Sequence, residues 1–159
     1  MTRILTSIFL GTLLMIGSGA IAAGTAADPV VGTWKLNAAK STFSAGPALK
    51  SQTRIYSQSA QGITLNMTTM GADGKEAKSQ TTYKLDGTDY PVTGAAAYDS
   101  LSAKQLDSNT AEFTLKMGGK AVGTTRRTVS KDGKTLTSTL KMTNAKGEKT
   151  ENVTVFDKQ

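Results

Sequence analysis

The 159-residue chain predicts an all-β protein: a single up-and-down antiparallel barrel of eight or nine strands, preceded by a leader for export. Three observations carry that expectation. Asp-Gly and Gly-Gly pairs, which tolerate the positive φ of tight hairpins, recur at Asp73-Gly74, Asp86-Gly87, Gly118-Gly119 and Asp132-Gly133. The segments between them alternate apolar and polar residues with period two. Finally, 22 Thr follow Ala22, a β-branched excess that disfavours helix.

Met1-Thr2-Arg3 supplies a short positive start, and Ile4 to Ile16 is mostly apolar. Small residues follow, with Ala20-Ile21-Ala22 forming an A-x-A cleavage pattern. The apolar run falls short of the ~20 residues that span a bilayer. Residues 1–22 therefore read as a signal peptide cut after Ala22, with Ala27 as the alternative site, and 28–159 as one barrel domain. No integral membrane segment remains after cleavage, and the expected location is a bacterial periplasm or the cell exterior. An outer-membrane barrel needs an apolar outer band and aromatic girdles. Here the outer face would be Thr and Lys, and aromatics make up only 6% of residues.

Composition narrows the chemistry. The chain has neither Cys nor His, which removes zinc ribbons, thiolate nucleophiles, His-ligated haem and serine–histidine triads. No metal site and no cofactor is expected. Export permits disulfides, but without Cys stability must come from sheet hydrogen bonds and packing. Removing the leader takes Arg3 with it and leaves 18 basic against 12 acidic residues. The basic residues are scattered, Arg126-Arg127 being their one adjacent arginine pair, with no interleaved aromatic platform. That pattern argues against nucleic acid as a partner.

The expected strands are 30–36, 51–60, 62–70, 75–85, 97–106, 110–117, 120–130, 135–143 and 148–157. Residues 37–50 form a connection with one helical turn near Ala38–Ser41. Ala111, Phe113, Leu115 and Met117 make one apolar stripe, Leu136, Leu140 and Met142 a second, and Ile63, Leu65 and Met67 a third. Short hairpins in sequence order favour the barrel over a Greek-key sandwich, which needs longer crossings.

Val31-Gly32-Thr33-Trp34-Lys35-Leu36-Asn37, followed by Lys40-Ser41-Thr42-Phe43, resembles the opening of lipocalin-like proteins of bacterial envelopes. Gly-x-Trp on the first strand is a hallmark of the wider calycin group, lipocalins and avidins included. Asp89-Tyr90-Pro91-Val92-Thr93-Gly94, Gly123-Thr124-Thr125-Arg126-Arg127, Ser130–Leu136 and Val155–Gln159 extend the likeness to this exported, calycin-type β-barrel family over nearly the whole mature chain. The resemblance implies a lipocalin-like fold and transfers no established chemistry. It implies that Gly32 and Trp34 close one end of the barrel and that a late basic residue, Arg127, lies across the Trp34 indole. Avidins line their biotin site with several tryptophans; with Trp34 alone, this chain is not expected to bind biotin.

If Val129 points inward, alternation sends Arg127 inward and Arg126 outward, and parity along the strands places Thr69, Ser79, Thr81, Tyr83, Thr125 and Ser138 inside beside Arg127. Buried hydroxyls and a buried guanidinium need partners, which a closed apolar core does not supply. Two readings follow. One is a pocket for a small hydrophobic or amphipathic molecule, with Trp34 at its base and Trp34, Tyr83, Phe113 and Arg127 as ligand-binding residues. The other is a protein-interaction barrel, such as a hydrolase inhibitor or an envelope structural protein, that acts through Ala23–Val30 and the 37–50 connection. Tyr90-Pro91 and Tyr98 flank the Ala-rich stretch Gly94–Ala97, which reads either as a flap at the rim or as a bulged edge. The carboxylates Asp73, Glu76, Asp86 and Asp89 sit at turns, where they normally cap backbone N–H groups. No catalytic residue is assigned and no enzymatic activity is expected.

Overall fold

Alternation gives each Thr-rich segment one apolar face, and the tight turns bring successive segments together. The computed structural model describes residues 27–44, 48–143 and 147–159. The leader over residues 1–22 and cleavage after Ala22 lie outside the described residues. So do most of the Asn144–Gly147 turn and part of the 37–50 connection.

Eleven strands form among the described residues: β1 Gly32–Leu36, β2 Thr42–Phe43, β3 Ser51–Ser59, β4 Gly62–Met70, β5 Glu76–Tyr83 and β6 Asp86–Thr93, then β7 Ser100–Gln105, β8 Thr110–Met117, β9 Lys120–Val129, β10 Thr135–Thr143 and β11 Lys149–Lys158. From β3 onward each strand pairs antiparallel with the next, and β1 pairs with both β3 and β11. The sheet therefore closes on itself as a barrel of ten strands. The short β2 lies outside that closure, paired with β11 at Asn152 and Val153. A 3-10 turn at Ala38–Lys40 joins β1 to β2, with Asn37 as its cap. No helix among the described residues is long and apolar enough to cross a membrane.

Eight or nine strands were expected, and ten close the barrel. The difference is β6, placed where the sequence suggested turns and a flap. Pro91 and two carboxylates argue against a strand there, because proline cannot donate to a ladder. The barrel accommodates them by weak pairing: β5 and β6 match only at Gln80–Thr93 and Thr81–Val92. Pro91 sits just beyond that short ladder, and its carbonyl accepts a hydrogen bond from the Thr81 hydroxyl instead (2.9 Å). Every other expected strand appears, with ends moved by at most three residues.

The core fills the lower barrel, the end where β1 starts and β11 ends. Val30, Trp34, Tyr83, Leu136 and Phe156 are essentially inaccessible there. Gly32 shows how tightly this end is drawn together. Its φ is +132°, and a Cβ would lie 2.9 Å from Cε of Lys158. At the opposite rim Gly94 (φ +76°) holds the β6–β7 loop against β5, where a Cβ would clash with the Lys78 carbonyl oxygen. That loop is thus pinned to the barrel wall at its first residue.

Candidate functional site

The three expected stripes converge on the barrel interior, and so do most of the polar side chains assigned there by parity. Thr81, Tyr83, Arg127 and Ser138 are buried. Between them and the rim lies a cavity of about 230 Å³. Tyr83, Phe113 and Arg127 all face it, as do Thr125 and Ser138. Exposure rises along the wall, from buried Tyr56, Tyr83 and Arg127 to partly exposed Met67, Thr125 and Leu140 nearer the rim. Met117, assigned inward, lies at that rim and is exposed.

Trp34 does not line the cavity. It is fully buried at the base, and its indole N–H donates to the Val30 carbonyl (2.7 Å). Nor does Arg127 stack on it. The cation over the Trp34 ring is Nζ of Lys158, at 5.1 Å. Register explains the exchange: Lys158 is the direct cross-strand partner of Trp34, whereas β10 and β11 separate Arg127 from β1.

Arg127 turns instead to a set of its own. Its Nη1 donates to the Tyr83 hydroxyl (2.8 Å), and its Nη2 reaches both carboxylate oxygens of Asp28 (3.3 and 3.4 Å). The guanidinium also lies over Phe113 (5.5 Å) and Tyr56 (5.7 Å), where ring faces attract a cation. The Tyr83 and Phe113 rings meet edge to face at 5.3 Å. Nε of Arg127 is buried without an acceptor among the described residues.

Asp28 was not singled out as a functional residue in the sequence; it fell within the arm assigned to protein contact. In the structure the backbone N–H of Asp28 donates to Gln58 (2.7 Å), its carboxylate accepts from Val30 N–H (2.9 Å), and Val30 is wholly buried. Residues 28–30 therefore sit at the base of the barrel, with Val30 wholly buried and Asp28 and Pro29 partly exposed. An isolated Asp in a Pro-Val context carries no pattern that reveals this; only the inward Arg127, in need of a counter-charge, hinted at it.

A second guanidinium was also missed. Arg54 lines the cavity, stacks on Phe156 at 4.2 Å and donates through Nε to Gln52 Oε1 (2.9 Å). Gln52 is itself anchored on the Thr69 hydroxyl (2.8 Å). The alternation of β3 hides all this. Gln52, Arg54 and Tyr56 face inward, while Ile55 on the opposite face is exposed. Hydrophobicity alone would assign that strand the wrong way round.

At the rim, the Gly94–Asp99 loop lays Tyr98 against the cavity, and burial raises the pKa of its phenol. Carboxylates elsewhere cap backbone or pair on the surface. N–H groups of Thr88, Gly118 and Asn109 hold Asp86, Asp99 and Asp107 below the usual carboxylate range. Asp73 accepts from Lys75 N–H, while Glu76 and Asp89 pair with Lys78 and Lys116.

Burial pushes the Tyr83 phenol far above its ordinary pKa of 10.0, and the nearby Arg127 offsets only part of that. The folded state thus keeps a proton that the unfolded state releases above pH 10. Stability from this group is intact below that pH and falls as the pH rises further, at up to about 1.4 kcal/mol per pH unit. Urea unfolding between pH 9 and 11.5 should give a shallower decline for Tyr83→Phe than for the native chain. Equal declines would mean that the phenol is not held protonated.

No known family model matches this chain, and no curated protein or solved structure matches it either.

Proposed function

We propose that the chain is an exported, lipocalin-like binding protein that carries a small hydrophobic or amphipathic molecule inside its barrel. The observation that carries this reading is the cavity itself. A barrel of this size can fill its interior with side chains. This one leaves about 230 Å³ open between an apolar wall (Leu65, Leu101, Leu115, Leu140) and a few convergent polar groups. That mixture suits a small-molecule site, where apolar surface supplies affinity and sparse polar groups orient the ligand. The volume is modest and suits a compact ligand. The leader read in residues 1–22 supports a periplasmic or secreted location.

Native mass spectrometry of protein purified from its own host tests the reading. A stoichiometric small-molecule adduct is expected on the native chain. It should be lost in Thr125→Phe, which places a ring in the cavity while leaving the base untouched. A bare chain that also fails to bind a panel of small amphiphiles, or one that co-purifies with a stoichiometric protein partner instead, would overturn it.

A further inference from the structure

The cavity wall carries an unbalanced charge. None of its fourteen lining residues is acidic, while two, Arg54 and Arg127, are arginines that stay ionised at any pH a cell reaches. Asp28 answers Arg127 from the base, at 3.3 Å. Arg54 forms no ion pair among the described residues, its one side-chain acceptor being the neutral Gln52. Moreover, Gln52 is held by Thr69, and the Arg54 guanidinium carbon lies over the Phe156 ring, 4.2 Å from its centroid. The cation is thus held in orientation, with Nη1 and Nη2 uncommitted among the described residues, as expected of a fork that recognises a carboxylate.

Size adds a second restriction. The cavity, at about 230 Å³, lies below the ~300–1,000 Å³ typical of sites for drug-sized ligands, which favours a short ligand. Resting on the ligand-binding reading above, we infer that the ligand is a small organic acid: one carboxylate seated on Arg54 and a short aliphatic or single-ring body among Leu65, Leu115 and Leu140. A long-chain fatty acid exceeds the space. A neutral or cationic amphiphile of equal length leaves the Arg54 charge unanswered.

An NMR titration of the intact mature protein with hexanoate, 1-hexanol and palmitate tests this. Hexanoate should bind about tenfold or more tightly than 1-hexanol, with shifts centred on the methyls of Leu65, Thr125 and Leu140. Palmitate should not enter. In Arg54→Gln the preference for hexanoate over 1-hexanol should fall to near parity, and Arg54→Lys should recover part of the preference. Should a variant fail to fold, the comparison of hexanoate with 1-hexanol on the native chain decides alone. Equal binding of the two overturns the acid inference and leaves the ligand-binding reading standing. Binding of neither overturns both, and palmitate binding within the barrel overturns the size limit.

Discussion

Asp28→Ala lowers the unfolding free energy by about 3–5 kcal/mol, the range seen when one partner of a buried ion pair is removed. The Arg127 side chain is only 4% exposed, and Asp28 is its one carboxylate partner among the described residues. A buried lysine could shed its proton; arginine does not, so the charge stays and its desolvation goes uncompensated. The surface pairs set the contrast. Lys75–Asp73 and Arg126–Glu112 are half-exposed or more, and their loss should cost between nothing and about 1 kcal/mol. The decisive comparison is the double variant Asp28→Ala/Arg127→Met. Removing both charges together should restore stability to within about 1–2 kcal/mol of the native chain, since a buried pair and an apolar replacement are often near equal. Urea unfolding of all four members of the cycle gives a coupling of about 3 kcal/mol. A coupling near zero would mean that Arg127 is neutralised in some other way, and Asp28 would lose its electrostatic role at the base.

Period-two alternation made most of the barrel legible. Phe113, Leu115, Leu136 and Ile63 lie inward as their stripes require, and Tyr83, Arg127 and Ser138 are buried, as parity along their own strands places them. What stayed hidden has a common physical cause: polar groups satisfied by residues far away in sequence. Arg54 faces inward because Gln52, Thr69 and Phe156 receive it, and Asp28 because Arg127 lies 99 residues on. Local pattern cannot report such partners, so it singles out neither Arg54 nor Asp28. β6 escaped for a different reason. Its ladder to β5 is two residue pairs long, and Pro91 and Asp86 are residues that strands usually avoid. Closure around the ring makes it a strand, through its pairing with β7 at Tyr90–Leu101 and Pro91–Ser100.

The base and the cavity can be separated experimentally, and Trp34 is the residue that does it. Trp34→Ala should cost about 3–5 kcal/mol, as expected for emptying a large, fully buried aromatic site. Three contacts disappear together: the indole N–H to the Val30 carbonyl, the ring beneath Lys158, and the packing that ties β1 to β11 where the barrel closes. Trp34→Phe keeps most of the volume but strands the Val30 carbonyl, for a smaller loss of about 1–3 kcal/mol. Neither the ring nor its polar atom faces the cavity, so at a temperature where Trp34→Phe remains folded its affinity for hexanoate should equal that of the native chain. Thr125→Phe should behave in the opposite way, abolishing ligand uptake with little change at the base. If Trp34→Phe weakens binding as strongly as Thr125→Phe does, the tryptophan is part of the ligand site after all, and the division between a sealed floor and an open upper chamber fails.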